Sequence, residues 1–209
     1  EGLRELCDLY GSLLIFDEVM TGFRLARGGA ASLYSVVPDM ITLGKIVGGG
    51  MPLAAYASRR EIMQMVSPLG GVYQAGTLSG NPMAVTAGLA QMEQLLQESP
   101  WEKLEASGKK LEDSLIQANK NSSLPITINR VGSMLTVFFS ENPVTDTTTA
   151  LASNAKLFSK FFHGMLKRGI YLPPSQYEAA FLSTTHDDLI LQKIVSAASE
   201  VFQEMKREF

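Results

Sequence analysis

Leu13-Leu-Ile-Phe-Asp-Glu18 is a run of four apolar residues that ends on two carboxylates. An apolar run of this length without alternation is typical of a strand buried on both faces of a parallel sheet. An amphipathic stripe at helical spacing precedes the run, and Gly11 stands where that helix would end. A helix followed by a buried strand predicts an α/β fold.

Asp17 and Glu18 stand at the expected carboxyl end of this strand. In open α/β sheets, ligands bind in the crevice outside the carboxyl ends of the strands, so these side chains are candidate site residues. The alternative is that they only begin a solvated loop, and the sequence leaves both interpretations open. A second apolar strand over residues 38–43 is followed by Gly44 and Lys45, which places Lys45 at another strand end.

Lys45 lies between Gly44 and the glycine run at positions 48–50. Desolvation at a strand end would lower the pKa of its amine, and a neutral amine attacks carbonyl groups. The flanking glycines let a bulky ligand approach the backbone. Asp17 could keep a pyridine nitrogen protonated, so the pair is suited to pyridoxal phosphate (PLP). The alternative is a surface lysine in a glycine-rich loop.

A long loop rich in Gly, Pro, Ser and Asn covers residues 67–82. Gly76 and Thr77 in this loop offer a backbone N–H and a hydroxyl group, which are donors suited to a phosphate dianion. Asn81-Pro82 then begins a helix, and the N-terminus of a helix favours anions. The alternative for Asn81 is simple helix capping.

Composition and charge exclude several classes of function. The 209 residues are 45% hydrophobic and 19% charged, which is typical of a globular protein with a core. With 18 Lys and Arg against 21 Asp and Glu, and no block of either sign, we expect no nucleic-acid partner and no membrane surface. No apolar run approaches the about 18 residues that span a bilayer. The single cysteine, Cys7, predicts no disulfide, no metal site and a reducing compartment. We expect the cytoplasm, and a plastid location stays open.

The pattern of elements divides the chain near Ser99-Pro100. Residues 1–98 predict the C-terminal part of a large parallel-sheet domain with about three strands, fewer than such a sheet usually has. Residues 99–209 predict a small C-terminal α+β domain, with helices over 102–120, 153–167 and 187–206 and strands over 126–128, 133–139 and 181–183. Because the first residues lack an initiator Met and already have a helical pattern, we expect the chain to begin in mid-domain.

Four segments carry a resemblance to a known family: Asp17-Glu-Val-Met-Thr-Gly-Phe-Arg24, Pro38-Asp39, Thr42-Leu-Gly-Lys-Ile-Val-Gly-Gly-Gly-Met-Pro52 and Tyr73-Gln-Ala-Gly-Thr-Leu-Ser-Gly-Asn-Pro82. Their motifs resemble those of the class III PLP-dependent aminotransferase family. The resemblance covers essentially the whole chain and implies a PLP-dependent transferase of fold type I. Val19-Met20, the 73–79 loop and the 173–178 segment are similar to the aminomutase subgroup in particular.

The resemblance implies a role for individual residues. Lys45 would hold PLP covalently and act in catalysis, Asp17 would contact the pyridine nitrogen, and Val19 would pack on the ring face. Gly76 and Thr77 would bind the phosphate of the cofactor in the neighbouring subunit. A homodimer is therefore implied.

The implied activity is the transfer of an amino group within one small-molecule substrate, with PLP and its pyridoxamine phosphate form as cofactor. Glu178 would lie at the substrate end of the pocket, or it is an ordinary loop carboxylate. Two other functions stay open: an ω-amino acid aminotransferase of the same family, and an inactive or partner-dependent fragment that lacks its N-terminal half. His163 and His186 have no ligand-like partner in sequence and are assigned no role.

Overall fold

A computed structural model describes residues 1–207 and divides the chain into two compact units between Trp101 and Glu102. The sequence pattern predicts this boundary slightly earlier, after residue 98. In chain order the elements of the first unit are α1 (Gly2–Tyr10), β1 (Ile15–Asp17), α2 (Gly29–Leu33), β2 (Met40–Leu43), a 3₁₀ turn (Lys45–Gly48), β3 (Ala55–Ser58), α3 (Arg60–Met63) and α4 (Pro82–Glu98).

The first unit contains a three-stranded sheet in the order β1-β2-β3. β1 runs parallel to β2, with Asp17 opposite Thr42, whereas β3 runs antiparallel to β2. The predicted burial of β1 on both faces is wrong for this chain, because Leu13 and Ile15 are 49% and 55% exposed. The physical reason is that β1 is an edge strand of a short sheet, and of its apolar run only Leu14 is buried.

Asp39, at the start of the β2 segment, ties α1 to the sheet. Its Oδ2 accepts hydrogen bonds from the Leu14 N–H at 2.8 Å and from Arg4 Nη1 at 2.8 Å, and Arg59 Nη2 lies 3.2 Å from its Oδ1. The hydrogen bond from the Leu14 N–H, and to a smaller extent the one from Arg4, lower the pKa of Asp39 below its ordinary value. In the sequence, Pro38-Asp39 is only part of a family motif. The structure shows that Asp39 joins α1 to the sheet.

The second unit packs helices against a small antiparallel sheet in the order β4-β5-β6. Residues of α5, β5, α7 and α8 share one apolar core, in which the rings of Phe161 and Phe202 stack with centroids 5.2 Å apart. The elements are α5 (Trp101–Asn119), β4 (Thr127–Val131), β5 (Met134–Phe138), α6 (Thr147–Leu151), α7 (Ala155–Lys167), β6 (Ala180–Phe181) and α8 (Asp188–Arg207).

The longer helices lie where the sequence predicts them, while the short ones do not appear in the sequence pattern. The predicted start of α7 shifts to Ala155, because the side chain of Asn154 accepts from the N–H groups of Lys156 and Leu157 and caps the helix. α2, α3 and α6 have only four or five residues each, too few to show helical periodicity. Within residues 1–207, no helix combines the length and the apolar character needed to cross a bilayer.

Candidate active site

The carboxyl ends of the parallel strands β1 and β2 carry two of the predicted site residues. Asp17 is the last residue of β1 and lies opposite Thr42 of β2. Lys45 comes three residues after Thr42 in the sequence. Both side chains are exposed. The structure therefore brings Asp17 and Lys45 to the same end of the sheet, where ligands of open α/β folds bind.

One oxygen of Asp17 is held by two donors. Oδ1 accepts hydrogen bonds from the Val19 N–H at 3.0 Å and from Thr42 Oγ1 at 3.1 Å. Among the described residues no donor is hydrogen-bonded to Oδ2, so this oxygen is available to a ligand. The sequence pattern does not mark Thr42 as a site residue, because only the register between β1 and β2 shows that it faces Asp17.

Val19 lies against the backbone that leads into Lys45. A Cβ atom built on Gly44 would lie 3.2 Å from Val19 Cγ1, closer than an ordinary van der Waals contact. Gly44 is buried and Val19 is half-buried. The absence of a side chain at position 44 is thus what lets Val19 pack against the residue that precedes the lysine.

Lys45 has an unusual backbone conformation, with φ at +50°. This is the left-handed region, which costs a non-glycine residue about 1–2 kcal/mol and in which residues of functional sites are concentrated. The observed conformation supports a functional role for Lys45 over a plain surface lysine. The prediction that the amine of Lys45 is desolvated at the strand end is wrong for this chain, because Lys45 is exposed to solvent within residues 1–207.

The 3₁₀ turn that carries Lys45 packs directly on the backbone of α4. A Cβ atom on Gly49 would lie 2.5 Å from the Ala87 carbonyl oxygen, and one on Gly88 would lie 2.5 Å from the Val47 carbonyl oxygen. No side chain fits between the two elements at these points. The position of Lys45 therefore depends on two glycines that lie outside the strand ends.

Glu18 has a structural role, unlike Asp17. Its side chain is 2% exposed and accepts hydrogen bonds from the N–H groups of Ala30 at 3.0 Å and Ala31 at 2.8 Å, and from Thr21 Oγ1. These N–H groups belong to the first turn of α2, where a carboxylate is favourable. Of the two carboxylates at the strand end, Glu18 folds the following loop and Asp17 remains exposed.

Gly76 and Thr77 lie in an exposed turn of the long loop. The Gly76 carbonyl oxygen accepts from the Ser79 N–H at 2.9 Å, and the Asn81 side chain accepts from two N–H groups in the first turn of α4. The capping interpretation of Asn81 therefore accounts for the start of α4. Within residues 1–207, no hydrogen bond joins Gly76 or Thr77 to Asp17 or Lys45.

Glu178 lies in the second unit, in the loop before β6, and is exposed. It lines a mainly apolar cleft of about 710 Å³ together with Thr136, Lys193 and His186. Its carbonyl oxygen accepts a hydrogen bond from Thr136 Oγ1 at 3.3 Å. The carboxylate is thus placed at an open cleft of its own unit, which leaves it accessible to a ligand.

The two histidines contact residues that are close to them in the sequence. His186 Nδ1 accepts a hydrogen bond from the Ser183 N–H at 3.0 Å and so holds the turn before α8. His163 lies on α7 with its ring edge-on to Phe162, at a centroid distance of 5.3 Å. Among the described residues, no group of three or more His, Cys, Asp or Glu side chains is placed to hold a metal ion.

Comparison with known proteins identifies the family. Residues 1–197 match the family described as "Aminotransferase class-III". The chain belongs to the class-III aminotransferase family. This class-III aminotransferase chain is 52% identical over 203 residues to a glutamate-1-semialdehyde 2,1-aminomutase from Persephonella marina, an alignment that covers 97% of this chain and 47% of that protein. The chain spans about half the length of the curated relatives it matches.

Solved structures of an aminotransferase and of an aminomutase share the fold. A β-phenylalanine aminotransferase from Variovorax paradoxus superposes with a TM-score of 0.89 at 30% identity, covering 97% of this chain and 46% of that one. A glutamate-1-semialdehyde aminomutase from Pseudomonas aeruginosa, solved with PMP, has a TM-score of 0.84 at 20% identity, covering 97% of this chain and 47% of that one, and shows the common fold alone. The predicted fold class is confirmed.

Proposed function

We propose that this class-III aminotransferase chain is the C-terminal half of a PLP-dependent aminomutase that converts glutamate-1-semialdehyde to 5-aminolevulinate for porphyrin synthesis. The observation that carries the proposal is the placement of Asp17 and Lys45 at the carboxyl ends of neighbouring parallel strands. The choice of aminomutase is supported by the 52% identity to a relative of that name.

The residues at the strand ends fit PLP. Asp17 Oδ2 is an acceptor without a donor among the described residues, which suits the protonated nitrogen of a pyridine ring. Val19 offers an apolar surface beside Gly44, and the exposed amine of Lys45 is accessible to a carbonyl group. When bound, PLP supplies an electron sink for the substrate carbon that loses a proton, and its amine form supplies the nitrogen that is transferred.

Each of these side chains would do a separate task. Asp17 would keep the proton on the pyridine nitrogen, and Val19 would fix the plane of the ring. Lys45 Nζ would bind the cofactor covalently at rest, and during turnover it would accept a proton from one carbon and return it to another. Glu178 would contact the polar end of the substrate.

We propose that the chain works as part of a homodimer. The Thr77 hydroxyl makes no hydrogen bond within residues 1–207, and the turn that contains it is exposed. Gly76 and Thr77 would therefore be able to donate to a phosphate group in a second copy, as the resemblance implies.

We also propose that an N-terminal half of the same enzyme completes the sheet. Within the described residues 1–207, one edge of β1 has no partner strand, and apolar side chains beside it are exposed, including those of Leu13 and Ile15. A strand edge flanked by exposed apolar residues is stabilised by pairing with another strand. The relatives are about twice as long as this chain, so they contain enough polypeptide to supply that strand.

The alternative function is that of an ω-amino acid aminotransferase of the same family. The similarity to β-phenylalanine aminotransferase favours it, and the Asp17 and Lys45 arrangement serves both reactions. The two differ in their substrates, because an aminotransferase requires a second amino donor or acceptor whereas an aminomutase does not.

The experiment is to incubate the chain, alone and together with the N-terminal half, with PLP and then to reduce it with borohydride. Peptide mapping by mass spectrometry should find a pyridoxyl group on Lys45, and Lys45→Arg, which keeps the charge, should carry none. The reconstituted protein should then convert glutamate-1-semialdehyde without an added amino compound. Strict dependence on a second amino compound would favour the aminotransferase, and an unlabelled Lys45 in the reconstituted protein would refute both.

A further inference from the structure

Thr42 occupies the middle of the sheet, directly opposite Asp17 on one side and Tyr56 on the other. Its side chain is half-buried. Its Oγ1 donates to Asp17 Oδ1 at 3.1 Å, and its carbonyl oxygen accepts from the Glu18 N–H at 2.9 Å. Thr42 therefore holds the end of β1 through both its side chain and its backbone.

The convergence of two donors on one oxygen restricts the Asp17 carboxylate. The Val19 N–H comes from the same chain segment, two residues on, and forms a local turn that Asp side chains adopt readily. A carboxylate held by one such contact can still rotate about its side-chain bonds. The hydroxyl of Thr42 approaches from the neighbouring strand, so the two contacts together define the orientation of the group.

We propose that Thr42 is a positioning residue, whose hydroxyl orients Asp17 so that Oδ2 alone is presented to a ligand. The identity of that ligand as the pyridine nitrogen of PLP rests on the proposed function. The orientation of Asp17 does not, because it depends only on contacts within this chain.

Two substitutions separate the hydroxyl of Thr42 from its shape. Thr42→Val removes the donor but keeps the branched side chain that suits a strand, and Thr42→Ser keeps the donor but removes the methyl group. Thr127→Val is a matched control, because Thr127 is also a half-buried strand residue, and its Oγ1 donates to the carbonyl oxygens of Ser140 and Asn142 at 3.2 Å. Thr127 belongs to the second unit, whereas Thr42 and Asp17 belong to the first.

The first measurement needs no cofactor. The three-bond Hα–Hβ couplings of Asp17, measured by NMR on the whole chain, should show a single side-chain rotamer in the wild type and in Thr42→Ser and Thr127→Val. In Thr42→Val the couplings should become averaged over several rotamers. A single Asp17 rotamer in Thr42→Val, unchanged from the wild type, would overturn the proposal.

The second measurement uses PLP and the reconstituted protein with its N-terminal half. Thr42→Val should weaken PLP binding about fivefold, as expected for the loss of one hydrogen bond, and should shift the pH dependence of the absorbance of the bound cofactor. Thr42→Ser should restore both, and Thr127→Val should change neither. If the wild type binds no PLP, the proposed function fails, and the NMR result still decides the role of Thr42.

Discussion

Replacing Lys45 with glycine should remove the reactive amine and at the same time stabilise the protein. The φ angle of Lys45 is +50°, a conformation that costs a residue with a Cβ atom about 1–2 kcal/mol. Glycine avoids this cost, but its greater freedom in the unfolded chain offsets about 0.4–1 kcal/mol of the gain. Because the Lys45 side chain is exposed and has few contacts to lose, we expect a net gain of about 0.5–1 kcal/mol.

The gain can be measured by urea unfolding followed by the fluorescence of Trp101. Trp101 is the single tryptophan, and its indole N–H donates to the Phe23 carbonyl oxygen at 3.0 Å, so its signal reports on the first unit. With an m-value of about 1 kcal/mol/M for a unit of this size, the midpoint should rise by about 0.5–1 M.

Two further variants at position 45 isolate the backbone effect. Lys45→Ala removes the same amine but retains a Cβ atom, so its stability should stay close to that of the wild type. Lys45→Asn should lie between the alanine and glycine variants, because Asn tolerates the left-handed region. Equal midpoints for the glycine and alanine variants would refute the assignment of strain to Lys45.

Three further variants test the surroundings of the site. In Gly88→Ala, a Cβ atom would lie 2.5 Å from the Val47 carbonyl oxygen, so urea unfolding should show a loss of about 1–3 kcal/mol instead of the gain usual in a helix. Gly44→Ala should displace Val19 and weaken PLP binding to the reconstituted protein, and adding Val19→Ala should bring binding back to the level of the Val19→Ala single variant. Because the pKa of Asp39 is lowered in the folded state, its ionised carboxylate stabilises the fold at pH values above its ordinary pKa, and this stabilisation is lost as the pH falls through the lowered pKa. In thermal melts from pH 6 to pH 2, Asp39→Asn should therefore lose less stability with falling pH than the wild type does.

Each of these expectations has a contrary outcome. A Gly88→Ala variant that is more stable than the wild type would show that α4 does not contact the turn. Failure of the double variant to recover PLP binding would show that Val19 is not what a side chain at position 44 displaces. An acid transition in Asp39→Asn as steep as that of the wild type would assign the acid sensitivity to other carboxylates.

Local signals were sufficient to predict much of the fold. Gly11, with φ at +64°, and Asn81, with its two capped N–H groups, mark helix ends that a short window of sequence can show. The juxtaposition of Asp17 and Lys45 was predicted in the same way, since parallel strands align their carboxyl ends. Their roles stay predictions until the variants are measured.

Contacts between distant segments could not be read from the sequence. Glu18 is buried because α2 returns its first turn to the strand end twelve residues later, and nothing in the order of residues distinguishes Glu18 from Asp17 beforehand. Thr42 meets Asp17 through strand register, which a single sequence does not fix. The burial expected for Leu13 and Ile15 failed for another reason, because Ile15 lies in the edge strand β1 and Leu13 just before it, and within residues 1–207 only β2 pairs with that strand.

The packing of α4 on the 3₁₀ turn restricts which substitutions in this region can be compensated by a second substitution. A clash between two side chains can be relieved by shrinking either one, so a change at Gly44 has a second-site suppressor at Val19. The atoms that approach Gly49 and Gly88 most closely are carbonyl oxygens of the main chain, which no substitution can remove. Changes at these two glycines therefore have no intragenic suppressor at the contacting residues, and a random suppressor screen should recover no compensating change at Ala87 or Val47.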